Sequence, residues 1–314
     1  MIIRFLSERK QQIIAGVSLG VILVVLHFKS EYFFTVNNLY NIGKQASIIL
    51  IIGLGMTVVI ISAGIDLSVG SLLAFTISGT AVLNTVHGVG IFTAMSIAII
   101  ATVLLGMLNG IIIQYGKVPA FIATLGMMGV ARGIVLLISR GNPSMSFPEK
   151  FLWFADGTFL TVPIPIIASI IVMISVGLFL KYTSLGRGVF ALGGNEEAAR
   201  LSGINIPLVR IVTYAISGLC CAIAGVIFAA RVGAAVPSAG VGYELSAIAA
   251  VIIGGTPLTG GQGRISGTVI GALLMAVIDN GLNMIEVDPY WQGIVIGVII
   301  VFAVMMSNIK KQRN

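Results

Sequence analysis

The sequence contains very little charge. Asp, Glu, Lys and Arg make up 9% of its 314 residues, whereas 57% of the residues are hydrophobic. So few polar side chains cannot cover a globule that faces water on all sides, which excludes a soluble domain. The period-two alternation of a soluble β protein is also scarce, while the 39 glycines suit membrane helices that approach one another closely. The composition therefore predicts an all-α, polytopic membrane protein.

Residues that commonly carry catalysis or bind metals are few. The only cysteines, Cys220 and Cys221, are adjacent within an apolar run, where a disulfide between them would be strained. His27 and His87 are the only histidines and lie far apart, so neither a Ser/His/Asp triad nor a metal cluster is indicated. The phosphate-binding pattern Gly-x-x-x-x-Gly-Lys-Ser/Thr is missing as well, since residues 260–264 come nearest but lack the lysine. We expect no catalytic site, metal or cofactor on this chain, and any energy from ATP has to come through another chain.

Ten apolar segments are long enough, or nearly long enough, to cross a membrane, which requires about 20 residues in a helix. They are residues 13–28, 46–62, 70–86, 91–115, 121–139, 164–180, 211–230, 246–253, 267–280 and 292–306. The segment 246–253 is clearly short, so either its flanking glycines extend it or it is a half-helix. Between the fifth and sixth segments, residues 140–163 lack helical periodicity, and they either pack on the surface or contact a partner.

The 18 Lys and Arg residues indicate the orientation. With ten spans and a cytoplasmic N-terminus, most of them fall in cytoplasmic loops, as the positive-inside rule requires. We therefore expect both termini in the cytoplasm and a multi-pass location in a bacterial-type plasma (inner) membrane, surrounded by lipid. Because the basic residues are scattered singly, without interleaved aromatic residues, no nucleic-acid partner is expected.

The one long charged stretch between apolar segments, residues 181–210, contains the signals of a short helix outside the membrane. Asn195 suits an N-cap, Glu196 and Glu197 lie in the first turn, where the helix dipole favours negative charge, and Gly203 suits a left-handed C-terminal position. A helix of about two turns is marginal in water on its own. It is therefore either a solvated helix that packs on its own loop or a helix that docks on a partner protein.

Two stretches interrupt the apolar pattern with glycines and polar residues. Residues 64–70 carry Asp66 and Ser68, either of which suits the cap of a new helix, and residues 254–263 interrupt the second half. Both stretches are either breaks inside the membrane or cytoplasmic turns. Breaks inside a membrane occur only against protein or a wet cavity, and they commonly mark a transport pathway. Spans two to five and seven to ten run in opposite directions, which permits two inverted halves.

Several other polar residues are predicted at membrane depth, where ionisable side chains usually face the protein interior or an aqueous path. They are Asn109, Gln114, Arg132, Glu244 near an outer end, Asp279, Asn280 and Asn283. Arg132 and Asp279 carry opposite charges and either form a structural pair or line a pathway. The Asn and Gln side chains suit a hydroxyl-rich cargo because each can both donate and accept hydrogen bonds.

Short motifs spread over most of the chain carry a family resemblance. They are residues 64–71, 120–125, 186–187, 191–204, 242–250 and 254–261. Together they resemble the landmarks of permeases from ABC importers of the ribose, xylose, arabinose and galactose class, from about residue 33 to residue 306. Pro257 departs from the small hydroxyl residue that is usual in this family, which affects only the detail of that turn.

The resemblance implies a single transmembrane permease domain, residues 1–314, that forms the translocation path for a small sugar. Its implied partners are a second permease copy or a paralogue, two cytoplasmic ATPase subunits that hold ATP and Mg, and an extracytoplasmic sugar-binding protein. The short helix within residues 181–210 would then be the coupling helix, seated on an ATPase. The coupling residues would be Asn195, Glu196, Glu197, Ala198, Arg200, Leu201 and Gly203.

The candidate pathway or gate residues combine polar residues at membrane depth with two residues of the 120–125 motif. They are Asp66, Ser68, Asn109, Phe121, Thr124, Glu244, Asp279, Asn280 and Asn283. The alternative to an ATP-driven importer is a secondary transporter of a small polar solute, driven by an ion gradient. In that case Asp66, Glu244 and Asp279 would be the coupling sites.

Overall fold

The computed structural model describes residues 10–288 and, beyond them, residues 291, 293–295, 297, 298, 301 and 305. Within the described part the chain is mostly helical. The helices are α1 Lys10–Lys29, α2 Val36–Ile61, α3 Val69–Thr85, α4 Ile91–Tyr115, α5 Ala120–Ser139, α6 Glu149–Asp156, α7 Ile164–Tyr182, α8 Ser184–Gly194, α9 Glu196–Leu201, α10 Ile206–Val232, α11 Tyr243–Ile253 and α12 Ile265–Met284. Very short strands form two antiparallel pairs, β1 Ser144–Ser146 with β4 Ala234–Ala235 and β2 Thr158–Phe159 with β3 Val162–Pro163.

Seven of the described helices are long and apolar enough to cross a membrane, namely α1, α2, α4, α5, α7, α10 and α12. The helices α3 and α11 are also apolar but shorter, with 17 and 11 residues. These helices coincide with the first nine predicted spans. The tenth predicted span, residues 292–306, lies partly outside the described residues, so the count of ten spans and the cytoplasmic location of both termini stay predictions.

Capping residues explain why two spans begin earlier than hydrophobicity predicts. The helix α2 begins well before residue 46 because the Thr35 hydroxyl accepts the amide N–H of Asn38 at 3.4 Å. The helix α10 begins before residue 211 because the side-chain oxygen of Asn205 accepts the N–H of Leu208 at 3.1 Å. The first turn of α2 carries Asn37 and Asn38, and the first turn of α10 is followed by Arg210, so neither stretch extends the apolar run. The caps satisfy N–H groups that have no partner within the helix.

Residues 140–163, which lack helical periodicity in the sequence, nevertheless contain α6. Phe151 and Ala155 of α6 are fully buried, and the ring of Phe147 stacks on that of Phe151 with 4.4 Å between the ring centroids. The helix has eight residues, which is too short for a helical period to stand out in the sequence. Its packing against α10 and α7 stabilises it.

The helices α2 and α10 lie at the centre of the bundle. Within the most apolar window of each span, 89% of α2 and 61% of α10 are buried, against 28% for α4, 28% for α5 and 22% for α7. The helix α10 packs on α4, α2 and α3, while α2 also packs on α12 and α7. The exposed faces of α4, α5 and α7 are rich in large apolar side chains, as expected for helices next to lipid.

Two glycines let α4 and α10 touch backbone to backbone. A Cβ atom added at Gly106 would lie 2.6 Å from the carbonyl oxygen of Tyr214, and one added at Gly110 would lie 2.7 Å from the Cα of Ile211. Close backbone packing of this kind drives helix association in lipid, where the hydrophobic effect between helices is weak. The position of α10 beside α4 therefore depends on Gly106 and Gly110.

The bundle has two ends, which we name after the helices that lie there. The α9 end holds α8, α9, the last residue of α2, Ile61, and the start of α5. The α6 end holds α6 and the first part of α2, where Lys44 pairs with Asp156 at 3.1 Å. It also holds the last turns of α12, where Asn280 and Asn38 exchange hydrogen bonds at 2.9 and 3.1 Å. In the predicted orientation, the α9 end is cytoplasmic.

We expect Gly106→Leu to destabilise the bundle, because the new side chain would separate α4 from α10. Overpacking a close contact costs about 1–3 kcal/mol, so the thermal midpoint of the purified protein in detergent should fall by several degrees. The control is Gly20→Leu on α1. It also exchanges a helical glycine for leucine, but the added Cβ meets nothing within 4 Å. The midpoint of each variant is measured from the loss of the monodisperse size-exclusion peak with temperature. Equal midpoints for the two variants would contradict this role of the contact.

Candidate functional site

The charged stretch after α7 folds into two short helices joined at Asn195. The first, α8, begins where the Thr183 hydroxyl accepts the N–H of Gly186 at 2.9 Å. Sequence patterns did not predict α8, since its repeated glycines lower helix propensity. In α9, the Asn195 side-chain oxygen accepts the N–H of Ala198 at 2.9 Å, and the chain turns at Gly203, whose φ is +80°. The predicted N-cap and left-handed end of the short helix are therefore confirmed.

The residues predicted to couple to a partner form one exposed surface at the α9 end. We call it the α9 surface; its members are Asn195, Glu196, Glu197, Ala198, Arg200, Leu201 and Gly203. Ala199 lies among them in sequence but is buried, so this side of α9 faces the bundle. The arrangement leaves the other sides of α9 free to contact another molecule.

Two ion pairs distribute the charges of the α9 surface. Glu197 and Arg200 bind each other at 2.5 and 3.1 Å with 64% and 63% of their side chains exposed, and the hydrogen bond and charge of Arg200 lower the pKa of Glu197. Glu196 instead binds Arg210 of α10 at 2.7 Å, and Arg210 also donates to Gln114 of α4. Glu196 therefore fixes α9 to the bundle, while Glu197 and Arg200 remain at the surface.

A cleft of about 520 Å³ lies between α9 and the bundle. Its walls are residues 62–64 after α2, residues 117–120 at the start of α5 and residues 192–196 of the α8–α9 segment, and Arg210 and Tyr214 also line it. The cleft places the α8–α9 segment next to the first interruption of the apolar pattern.

The loop of residues 64–70 satisfies its polar groups with other protein groups. Asp66 has no exposed surface, and one of its carboxylate oxygens accepts the N–H and the hydroxyl of Ser68 at 3.0 and 2.5 Å. The other oxygen accepts the hydroxyl of Ser217 at 2.7 Å, and Asn109 donates to the Ser68 hydroxyl at 3.0 Å. These bonds tie the loop before α3 to α4 and α10.

The carbonyl oxygen of Ile65 is held in a similar way. Thr124 of α5 and Tyr214 of α10 each donate a hydroxyl to it at 3.3 Å. We call this buried group the Asp66 cluster; its members are Asp66, Ser68, Asn109, Thr124, Tyr214 and Ser217. The first four were predicted pathway residues. Tyr214 and Ser217 were missed, although polar groups inside the apolar run of α10 were an available signal.

The Asp66 cluster lies inside the bundle and not at its end. Ser217 follows Ile206, the first residue of α10, by eleven residues, or about 16 Å of helix. Asn109 precedes the last residue of α4 by six residues, or about 9 Å. The helix α3 therefore starts well within the thickness of the bundle. This position agrees with a break inside the membrane, and not with a cytoplasmic turn, for residues 64–70.

The helix α11 also starts inside the bundle, where it meets the start of α3. A Cβ atom added at Gly70 would lie 2.1 Å from the carbonyl oxygen of Gly240 and 2.6 Å from Oε2 of Glu244. The loop before α11 thus enters the bundle from β4 at the α6 end. Glu244 was predicted near an outer end, but it lies at this meeting point. We call Gly70, Gly240 and Glu244 the α3–α11 contact.

Arg132 of α5 holds the loop that leads into α11. Its guanidinium donates to the carbonyl oxygens of Pro237 and Ala239 at 2.5 and 2.9 Å. The alternative that Arg132 forms a structural pair with Asp279 is wrong, since Asp279 instead accepts from Gln45 of α2 at 3.4 Å. A loop that enters a membrane protein carries carbonyl groups without helical partners, and a guanidinium can satisfy two of them at once.

Residues 254–263 form a turn at the α9 end and not a break inside the bundle. The N–H of Gly261 donates to the carbonyl oxygen of Ile61, the last residue of α2, at 2.8 Å. The loop that breaks the second half inside the bundle is therefore the one before α11, residues 236–242.

The remaining pathway candidates lie apart from the Asp66 cluster. Asp279 and Asn280 are partly buried near the α6 end, and Asn283 is exposed and donates to the carbonyl oxygen of Asp279 at 2.8 Å. Phe121 is 53% exposed on α5. The nine candidates thus do not converge on one site. Among the residues that the structure describes, no group of three or more His, Cys, Asp or Glu side chains is placed to hold a metal ion.

We expect Asn195→Ala to loosen α9 without unfolding the bundle. Loss of an N-cap costs about 1 kcal/mol, so the amide hydrogens of residues 196–201 should exchange about fivefold faster. Asn205→Ala is the matched control, because it removes the cap of α10 by the same chemistry and should leave exchange in α9 unchanged. Hydrogen exchange with mass spectrometry measures both, and unaltered exchange of α9 in Asn195→Ala would show that the cap is unimportant.

Comparison with known proteins identifies the family to which the chain belongs. Residues 38–304 match the family described as branched-chain amino acid transport system / permease component. The ribose import permease protein RbsC of Escherichia coli (strain K12) is 45% identical over 98% of this chain and 95% of its own length. The D-allose transport system permease protein AlsC of the same strain is 41% identical over 89% and 86% of the two chains. The galactose/methyl galactoside import permease protein MglC of Salmonella typhimurium is 38% identical over 95% and 94%.

These relatives confirm the resemblance that the sequence motifs carry. The matched range begins in α2, includes α3 to α12, and therefore contains both the α9 surface and the Asp66 cluster. The chain belongs to the family of branched-chain amino acid transport system permease components.

Proposed function

We propose that this chain is the permease subunit of an ATP-driven, binding-protein-dependent importer and forms the translocation path for a small sugar. The observation that carries the proposal is that α3 and α11 both start inside the bundle, at the α3–α11 contact and beside the Asp66 cluster. Transporters commonly place their binding sites at interrupted helices of this kind. The substrate class follows from the relatives, which are named for ribose, allose and galactose.

The Asp66 cluster has the chemistry that a path for sugars requires. It brings the hydroxyl groups of Ser68, Thr124 and Ser217 and the carboxamide of Asn109 together around one buried carboxylate. The side-chain oxygen of Asn109 is buried and accepts no hydrogen bond from the described residues. An acceptor in this state is usually matched by a water or a ligand. We therefore assign it to a cargo hydroxyl or to a water on the path.

The positions of α3 and α11 support two inverted halves. Each helix is the second span of a predicted set of four, and each starts at the α3–α11 contact. From there α3 runs toward the α6 end and α11 runs toward the α9 end. An inverted repeat relates two helices in this way, with the binding region at the point where the repeats meet.

The α9 surface is the proposed docking site for an ATPase. A six-residue helix is not stable alone, but the Asn195 cap and the Glu196–Arg210 ion pair fix α9 to the bundle. A short helix held in this way can pass on a rigid-body movement of its partner. In this proposal two ATPase subunits bind ATP and Mg, a second permease copy or a paralogue completes the path, and a sugar-binding protein delivers cargo at the α6 end.

We expect transport in reconstituted vesicles to require ATP and the ATPase subunits. The chain would be reconstituted with an ATPase and a sugar-binding protein from its own organism, and uptake of radiolabelled ribose, allose and galactose would be measured. Uptake should stop without ATP and continue when an ionophore removes the proton and sodium gradients. Uptake by the chain alone in response to an imposed gradient would instead favour a secondary transporter.

We expect Asp66→Ala to lower the transport rate about tenfold or more, because the loop before α3 loses three hydrogen bonds at the Asp66 carboxylate and leaves buried donors unpaired. The control is Ile171→Ala on the exposed face of α7, where the native side chain is 58% exposed. Rates would be normalised to the amount of each variant in the membrane by immunoblot. Equal rates for the two variants would argue against a special role for this loop.

A further inference from the structure

Three backbone segments cross at the α9 end without side chains between them. They are the end of α8 at Gly193, the end of α2 at Ile61 and the turn between α11 and α12 at Gly261. A Cβ atom added at Gly193 would lie 1.7 Å from the carbonyl oxygen of Ile61 and 2.7 Å from the amide nitrogen of Gly261. That amide nitrogen donates to the same carbonyl oxygen at 2.8 Å. We call Ile61, Gly193 and Gly261 the glycine joint.

The turn that contains Gly261 also packs closely against Ala63, two residues after the end of α2. A Cβ atom added at Gly260 would lie 2.7 Å from both the amide nitrogen and the Cβ of Ala63. Gly260 and Gly261 have φ values of +77° and +73°, which residues with side chains rarely adopt. Backbone groups in contact cannot relieve a displacement by rotating a side chain, so α8, the end of α2 and this turn are expected to move together.

Two routes lead from the glycine joint to the α3–α11 contact. The first runs from Ile61 through residues 62–68, which carry Asp66, to the start of α3. The second runs from Gly261 back through residues 254–260 into α11, whose first turn contains Glu244. Both routes reach Gly70, where the starts of α3 and α11 meet. The joint thus connects the α8–α9 segment to both helix starts inside the bundle.

We propose that the glycine joint is the positioning element that passes movement of the α9 surface to the α3–α11 contact. The inference rests on the proposed function, since it requires an ATPase that moves α9. It adds residues that are neither on the α9 surface nor in the Asp66 cluster, and it predicts that contact at Gly193 sets how much ATP is used for each sugar transported.

The test compares two adjacent glycines at the end of α8 in the complete complex of permease, ATPase and binding protein. Gly193→Ala pushes against the backbone of α2, whereas a Cβ atom at Gly194 meets nothing within 4 Å. We expect Gly193→Ala to raise the ATP hydrolysed per sugar transported about tenfold, because changes along a coupling route typically alter coupling by this order. Gly194→Ala should keep the ratio of the original protein.

A third variant keeps the test decisive if Gly193→Ala does not assemble. A Cβ atom added at Gly263 would meet side chains and no backbone: Cγ1 and Cδ1 of Ile61 at 2.6 and 2.8 Å, and Cγ2 of Thr256 at 3.0 Å. Gly263→Ala should therefore assemble and raise the ratio by a smaller amount, about twofold to threefold. An unchanged ratio in Gly263→Ala, or equal ratios in Gly193→Ala and Gly194→Ala, would overturn the proposal.

The same measurements separate this proposal from the proposed function. If the original complex transports sugar without ATP, the importer itself is refuted, whatever the variants do. If the original complex requires ATP but assembled Gly193→Ala loses transport and hydrolysis in equal proportion, the importer stands and the joint has only a structural role.

Discussion

A chain that leaves the helical conformation inside a membrane must find hydrogen-bond partners in the protein, because lipid offers none. Here Asp66 satisfies the start of α3, and α10 and α4 in turn satisfy Asp66 through Ser217 and, by way of the Ser68 hydroxyl, Asn109. In the loop before α11, Arg132 donates hydrogen bonds to the carbonyl oxygens of Pro237 and Ala239. The two interruptions are thus stable because polar side chains of neighbouring spans replace the missing helical bonds.

Small residues and polar residues have separate roles in this bundle. Glycines set how closely segments approach, as at the crossing of α4 with α10, at the α3–α11 contact and at the glycine joint. Polar side chains then fix the segments that glycine has brought together. The helix α2 is buried along most of its length, and its last residue, Ile61, belongs to the glycine joint.

The features that could be predicted from the sequence are those that neighbouring residues determine. Hydrophobic runs located nine spans, and the Asn195 cap and Gly203 located α9, because caps and turns depend on residues a few positions apart. The contacts of Asp66 with Ser217 and of Arg132 with Pro237 could not be predicted, since these partners lie 151 and 105 residues away along the chain. Nor could the position of Glu244, which depends on how a loop folds back into the bundle and leaves no periodic pattern.

The hydrogen bonds of Arg132 also make α5 a connection between two distant parts of the bundle. The helix begins at Ala120, which lines the cleft beside the α9 surface, and Arg132 lies twelve residues further on, about 18 Å along the axis. Because a guanidinium stays charged at any physiological pH, the hydrogen bonds from Arg132 to the carbonyl oxygens of Pro237 and Ala239 do not depend on proton concentration. The helix α5 therefore connects the cleft beside the α9 surface directly to the loop that starts α11.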